Sequence, residues 1–230
     1  SCDSLYQNPQ SWLEAVHPDD RPRIQQDLQQ TDSAAVTQTY RILRPDGDIR
    51  WITSHSSLVK DGHDGSSRII GYAEDITDQK KTALQLQRVN RALRTLSECN
   101  QAVVRATDEA TLLADICSIL IEFGQYRAAW IGYADHDSQK TVRPVAQAGY
   151  SETYLQSIHL SWADNDLGCG PTGTAIRTGQ LCIAQDIGHD SHFQPWREMA
   201  LSQGYAASIS LPLISDDQVL GALNIYSAHP

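Results

Sequence analysis

No stretch of about eighteen apolar residues occurs anywhere in the chain, so nothing in it reads as a membrane-spanning helix. The five cysteines, Cys2, Cys99, Cys117, Cys169 and Cys182, form no CxxC pair. Their odd number and wide spacing fit neither a disulfide framework nor a structural zinc site, and reduced, buried thiols are the expectation. Basic patches are missing too, and a net charge of -10 argues against generic nucleic-acid binding. There is no low-complexity segment and no internal repeat. The opening SCDSLYQNPQ lacks the basic and apolar regions of a signal peptide, which makes a cytoplasmic location the expectation.

What is present is a long stretch free of Gly and Pro, from Thr77 to Ala106. Leu86, Val89, Leu93, Leu96 and Val103 recur in it at steps of three and four, the spacing of one helical face. With Leu86, Leu93 and Asn100 at heptad position a, Thr82, Val89, Leu96 and Val103 fall at d, and the arginines lie outside the seam. An Asn at a fixes register, because its amide needs a polar partner opposite. The spacing predicts a helix of about 45 Å. Both an amphipathic helix lying on its own domain and a parallel two-chain coil fit about three heptads.

Before this helix, PQSWLEAV reads as a short helix and HPDDRPRIQQDLQQ as the start of a second. His17, followed by Pro18 and two acids, fits a capping or packing role and is not taken as a ligand. Alternation from Ala35 to Arg44, a PDGD turn and alternation again through IRWITSHSSLVK predict an antiparallel hairpin. After DGHDGSS, a third strand RIIGYAED follows. WLEAVHPDD, YRILRPDGDIRWI and IIGYAEDITDQKK, in that order, resemble the C-terminal half of a PAS domain, the part often called PAC. The resemblance implies an antiparallel sheet that feeds an outgoing signalling helix through Asp75, Ile76 and Thr77. The family's first two strands and the helices that line its cofactor pocket find no counterpart here, so no heme or flavin site of the usual kind is implied.

After the long helix, TDEATLLADICSILIEFGQY reads as a helix capped by Thr107 or Asp108 and stopped by Gly124. AAWIGYAD and TVRPVAQAG form a second predicted hairpin. An irregular segment, Tyr150 to Gly188, holds a glycine cluster, a short helix TAIRT and a strand LCIAQD. HDSHFQPWREMALSQG supplies a further helix, and YAASISLPLI and QVLGALNIYS close the chain as strands. GPTGTAIRTGQ, QDI, PWREMALSQGY, SISLPL and VLGALNIYS resemble the GAF modules that follow PAS domains in bacterial diguanylate cyclases, cyclic-di-GMP phosphodiesterases and sensor kinases. That resemblance implies a central antiparallel sheet with helices on one face and pocket loops on the other. The family's final helix finds no counterpart after Pro230.

The fold class expected is therefore α+β: a partial PAS-like antiparallel sheet over 1–77, a signalling helix over 78–106, and a GAF domain over 107–230 whose first helix begins as early as residue 95. Trp162, Asp164, Asp186, Trp196 and Tyr205 form the candidate ligand cavity, since aromatics with a few polar groups suit a small planar ligand; each also fits a role in closing the core. LGCGPTG lacks the Lys-Ser/Thr of a P-loop and reads as a tight turn over the sheet or a pocket rim. His189 and His192 beside Asp186 and Asp190 fit helix-start caps, and no metal is assigned.

Cys169 and Cys182 raise the alternative of a thiol-dependent methionine sulfoxide reductase, yet the strand that carries the catalytic Cys in that group has none here. Neither the DIP motif nor a Cys-His pair for a bilin is present. No catalytic residue and no cofactor is assigned. The expectation is a non-catalytic sensory segment, a parallel homodimer through Leu86, Val89, Leu93, Leu96, Asn100 and Val103. It would bind a small molecule or partner, not nucleic acid, without inserting directly into a membrane, and signal to an output domain outside the sequence. A constitutive scaffold is the third reading.

Overall fold

The structure, a computed structural model, describes residues 12–29, 35–60, 67–149 and 159–229. Residues 9–11 of the first expected helix, the DGHDGSS turn up to residue 66, the 150–158 segment and Cys2 lie outside the described residues. The chain divides into two compact units, residues 1–88 and 89–230.

In the first unit, two short helices, α1 (Trp12–Ala15) and α2 (Arg21–Gln29), precede three strands, β1 (Val36–Leu43), β2 (Ile49–Lys60) and β3 (Ser67–Asp75). The strands pair antiparallel in chain order, with Tyr40 opposite Ile52 and His55 opposite Tyr72. Alternation decides the faces: Gln38, Tyr40, Ile42 and Ile52 share the side on which Leu13, Val16 and Ile24 pack. The helix pair is fastened to β1 by Asp20. Its carboxylate accepts from the Arg41 backbone N–H at 2.8 Å, from Nε at 3.1 Å and from Nη2 at 2.6 Å. His17 sits at the same junction, its N–H donating to the Arg41 carbonyl and its carbonyl accepting from Asp20 and Arg21.

Helix α3 runs unbroken from Thr77 to Arg105. The absence of Gly and Pro lets it continue. Its seam residues are uncovered: Leu86, Leu93, Leu96 and Val103 are each 58–60% exposed, and Val89 is 48%. Thr95 faces inward, returning its hydroxyl to the Arg91 carbonyl at 2.9 Å.

In the second unit, α4 (Glu109–Glu122) starts at Asp108, whose carboxylate accepts from the Thr111 N–H at 2.9 Å. Its C-terminal turn departs from the simple glycine stop. The left-handed residue is Gln125, at φ 56°, while Gly124 is required for space, since a Cβ there would overlap the Leu120 carbonyl oxygen. β4 (Ala128–Ala134), β5 (Val142–Ala148), α5 (Pro171–Thr178), β6 (Cys182–Ala184), α6 (Arg197–Ser202), β7 (Ala207–Ser215) and β8 (Gln218–Ser227) follow. The single helix expected across HDSHFQPWREMALSQG is split, because Pro195 has no N–H to give an α-helical ladder. Ser191–Trp196 forms a 3₁₀ turn before α6.

The five strands lie in the order β5-β4-β8-β7-β6, antiparallel throughout. β8 is central, and both faces of the sheet are covered. Ala129, Ile131 and Ile225 pack on Cys117 and Leu120 of α4. Ala128, Trp130, Ala184, Ala222 and Tyr226 turn the other way, under α5, the 3₁₀ turn and α6, with Phe193, Trp196 and Tyr205. Period-two alternation along strands covered on both sides separates the two cores.

Asp20 generates the first prediction. Its carboxyl is held at about 2, chiefly by hydrogen bonding from the Arg41 side chain, against an opposing effect of burial. Because the folded-state value lies below the ordinary value of about 3.9, the stabilisation is complete above pH ~4 and is lost as pH falls towards 2. Acid titration followed by circular dichroism should show Asp20→Asn less stable at neutral pH and less sensitive to acid in that window. An unchanged acid profile would remove the pair from the fold's pH dependence.

Candidate functional site

Two places concentrate polar groups that the fold does not simply leave in water. The first is the strand-to-helix junction. The Thr77 N–H donates to Asp75 Oδ1 at 2.9 Å, and Thr77 Oγ1 accepts from the Trp51 N–H at 2.9 Å. The Ile76 N–H donates to the Trp51 carbonyl at 2.9 Å, and the Ile76 carbonyl accepts the Lys80 N–H. Thr77 is buried. Asp75, Ile76 and Thr77 thus tie the first turn of α3 to β2 while satisfying the Thr77 N–H at its start. The Thr77 hydroxyl, then its N–H, holds the Asp75 carboxyl below its ordinary range. Arg50 stands 3.9 Å away, and Lys80 lies over the Trp51 ring at 5.5 Å.

The second is the inner face of the five-stranded sheet. Register sets two rows of side chains across it. One row reads Trp130, Asn224, Ser210, Cys182, and the next Ala128, Tyr226, Ser208, Ala184. Asn224 is 1% exposed, and its Oδ1 accepts from Ser210 Oγ at 2.6 Å and from Thr172 Oγ1 of α5 at 2.8 Å. Its amide donates to the Ala222 carbonyl at 3.3 Å. Ser208, between Tyr226 and Ala184, has no partner for its buried hydroxyl, and neither has the buried Trp130 Nε1. Each buried group of that kind costs about 1–3 kcal/mol.

Above this face lies a cavity of about 20 Å³, lined by Leu160 and Leu167, the start of α5, Phe193, Trp196 and Tyr226. That is room for one water. A loop across residues 160–168 closes it and is fastened at three points. Arg177 Nη1 donates to the carbonyls of Trp162 at 3.3 Å, Ala163 at 2.8 Å and Gly168 at 2.6 Å. Trp162 Nε1 donates to the Asp135 carbonyl at 2.9 Å under Lys140, whose Nζ is 4.6 Å from the ring centroid. Ser161 Oγ donates to the carbonyls of Gln139 and Lys140. The glycine cluster makes the closure possible. A Cβ on Gly168 would overlap the Ala163 carbonyl oxygen, and one on Gly170 would meet the Trp196 ring at 2.5 Å.

Of the five residues assigned to a cavity from sequence, Trp196 and Tyr205 lie in the inner-face core and Trp162 packs against it. Asp164 and Asp186 do not join them: their side chains are 98% and 52% exposed. Asp186 instead pairs with His189 at 2.7 Å and holds the Gly188 N–H, a turn contact that lowers its pKa, chiefly through His189. Trp130, Thr172, Arg177, Ser208, Ser210 and Asn224 were not singled out. The signal was the regular Ser-Ile-Ser of β7 beside Asn in β8, small polar residues at every second position of strands that are covered on both faces. Among the described residues no group of three His, Cys, Asp or Glu is placed to hold a metal ion. No described helix is long and apolar enough to cross a membrane.

A GAF-domain model matches residues 106–230, and a PAS-fold model matches residues 1–73. The chain belongs to the GAF domain family, with a PAS segment ahead of it, an arrangement that makes it a sensory or regulatory chain. Among solved structures, the GAF domain of A. aeolicus nlh2 in an inactive state is similar at 18% identity and TM-score 0.47, over 63% of this chain and 81% of that one. The free methionine-R-sulfoxide reductase of Neisseria meningitidis, in complex with its substrate, gives 18% and 0.49 over 62% and 76%. The GAF domain of a phosphoenolpyruvate-protein phosphotransferase from Coxiella burnetii gives 18% and 0.48 over 60% and 80%. Similarities of this size assign no ligand or activity. No curated protein matches the sequence.

Ser208 and Ser210 of β7 should respond with opposite signs. Ser208→Ala deletes an unpaired hydroxyl and should raise stability by about 1 kcal/mol, or about 2–4 °C in Tm. Ser210→Ala takes a donor from Asn224 and should lower it by about 1–3 kcal/mol. Thermal denaturation of both variants checks this, and equal effects would contradict the hydrogen-bond assignment.

Proposed function

We propose that this chain is the sensory segment of a bacterial signal-transduction protein. Its GAF half senses a small molecule or partner, and α3 passes the change to an output domain of the diguanylate cyclase, phosphodiesterase or histidine kinase kind. The observation that carries the reading is α3 itself. It begins in a cap bonded to β2 and continues through 29 residues without a break, with an apolar row left open to solvent. Fully covering one of its leucines stabilises by about 1.5–3 kcal/mol, and a second copy in parallel register would do so along Leu86, Val89, Leu93 and Leu96, with Asn100 opposite Asn100 and Val103 beyond. A ligand that favours one of two arrangements of the sheet would then bias both chains of the dimer.

The chain's thiols favour sensing over thiol chemistry. Burial pushes the Cys117 thiol up to about 12, and burial with the nearby Asp190 charge raises that of Cys182. Cys169 is held by its own loop, its thiol donating to the Asp166 carbonyl at 3.0 Å. A nucleophilic thiolate needs the opposite environment.

Sedimentation of the chain at micromolar concentration should give a dimer, and Leu93→Asp should give a monomer; an unchanged species would take the seam out of the interface. In a methionine sulfoxide reduction assay, wild type and Cys169→Ser should be equally inactive. Activity that disappears on the substitution would replace sensing by catalysis.

A further inference from the structure

A second and larger cavity, of about 480 Å³, lies at the β5 edge of the five-stranded sheet and is open to solvent without any movement of the chain. Small-molecule clefts span roughly 300–1,000 Å³. Its walls are set by backbone bonds. Residues 160–162 run beside the start of β5: the Val142 N–H donates to the Leu160 carbonyl at 3.0 Å, the Trp162 N–H donates to the Lys140 carbonyl at 2.8 Å, and Thr141 stands opposite Ser161 in antiparallel pairing. Pro144, two positions further along β5, has no N–H, so this pairing cannot continue through it, and the cleft opens there. The same missing donor argues against an added peptide strand as the guest.

Val142, Pro144, Leu160 and Leu167 give the cleft its apolar wall. Its hydroxyls are committed elsewhere, Thr141 Oγ1 donating to Asp137 at 2.7 Å and Ser161 Oγ to the carbonyls of Gln139 and Lys140. Charge on the wall comes from Asp135, Arg143 and, when protonated, His159. Asp135 takes Arg143 through Nε, at 3.1 Å to Oδ2, and among the described residues neither Nη of Arg143 makes a bond. A carboxylate holding one side of a guanidinium orients the other, and the Nη1–Nη2 end left over is a planar two-donor fork matched to a second carboxylate.

The charges on the wall decide the charge of the guest. A cation would find Asp135 already neutralised by Arg143, and a protonated His159 would repel it. A dianion such as phosphate would need more than one free cation and would stand close to Asp135. Lys140 is directed to the Trp162 ring, its Nζ 4.6 Å from the centroid. A single negative charge on a flat, two-oxygen group fits what remains.

We infer that this cleft binds a small monocarboxylate with an apolar body, its carboxylate on the Nη1–Nη2 end of Arg143 and its body against Val142, Pro144, Leu160 and Leu167. This names a ligand class for the GAF half as a sensor and rests on that reading.

The test is calorimetric titration of the full 230-residue chain with benzoate, 3-phenylpropionate and octanoate, each beside its primary amide, and with inorganic phosphate. At least one acid should bind saturably and its amide about tenfold more weakly, a modest factor because the Arg143 side chain is 57% exposed and its charge is screened. Phosphate should show no saturable binding. Arg143→Gln and Arg143→Lys should both lose that tenfold, since Lys keeps the charge without the fork, and both should keep the wild-type Tm. Should either variant not fold, the comparison of acid with amide on the wild type decides. Equal affinity for acid and amide, saturable phosphate binding, or no binding by any acid overturns the inference. Acid binding that survives both substitutions also overturns this site while leaving the GAF half a sensor of small molecules, so the two readings fail separately.

Discussion

The side-chain carbonyl of Asn224 is the point on which the second unit turns. It sits on the central strand β8, almost wholly buried, and receives one hydroxyl from β7 and one from α5. A buried amide without those donors would be destabilising, so the position of α5 over the sheet and the register of β7 are fixed together. Hydrophobic burial alone would hold α5 against the sheet without specifying where. Thr172, Ser210 and Asn224 specify it.

From that anchor the rest of the inner face follows by steric closeness. With α5 in place, Gly170 brings the chain against the Trp196 ring and Gly168 brings the loop against Ala163. Arg177 then reaches back from the end of α5 to three carbonyls of the same loop. The glycines of LGCGPTG, which read from sequence as a tight turn over the sheet or a pocket rim, are needed because side chains would not fit between packed surfaces. The result is a cavity small enough for one water on the inner face, and two buried polar groups of that face, Trp130 Nε1 and Ser208 Oγ in adjacent rows, stay unpaired. Leaving them unpaired lowers stability, and such groups concentrate where a protein meets something else.

The first unit depends on a different kind of contact. Among the described residues its two short helices pack on one face of the sheet, and Asp20 with Arg41 fastens them to β1. At its far end Thr77 uses both its N–H and its hydroxyl oxygen to join strand to helix. Such a cap is local and directional, and this is why its three residues stand out in the sequence as a motif.

The elements, their order and both hairpins were legible in the residues, because alternation, Gly-containing turns and the three-four spacing of α3 are local patterns. A cap at Thr107 or Asp108 was legible too, and the Thr111 N–H donating to the Asp108 carboxylate decides for Asp108. The split at Pro195 was not read: HDSHFQPWREMALSQG reads as one helix, although the missing Pro N–H that divides it into a 3₁₀ turn and α6 is a local feature. The site was less legible. Trp196 and Tyr205 were found because large aromatics bury themselves, whereas Asp164 and Asp186 stand in the same stretches of chain and point to water. Small polar residues such as Ser208 and Ser210 give no sign of burial on their own; only strand pairing places one beside an amide and the other beside Tyr226 and Ala184. The sequence by itself determined where the chain alternates, turns and runs helical, since those preferences are settled within a few residues. Which polar groups meet and which are left without a partner was decided by tertiary structure, because it depends on residues fifty positions apart, such as Thr172 and Asn224, arriving within hydrogen-bond reach.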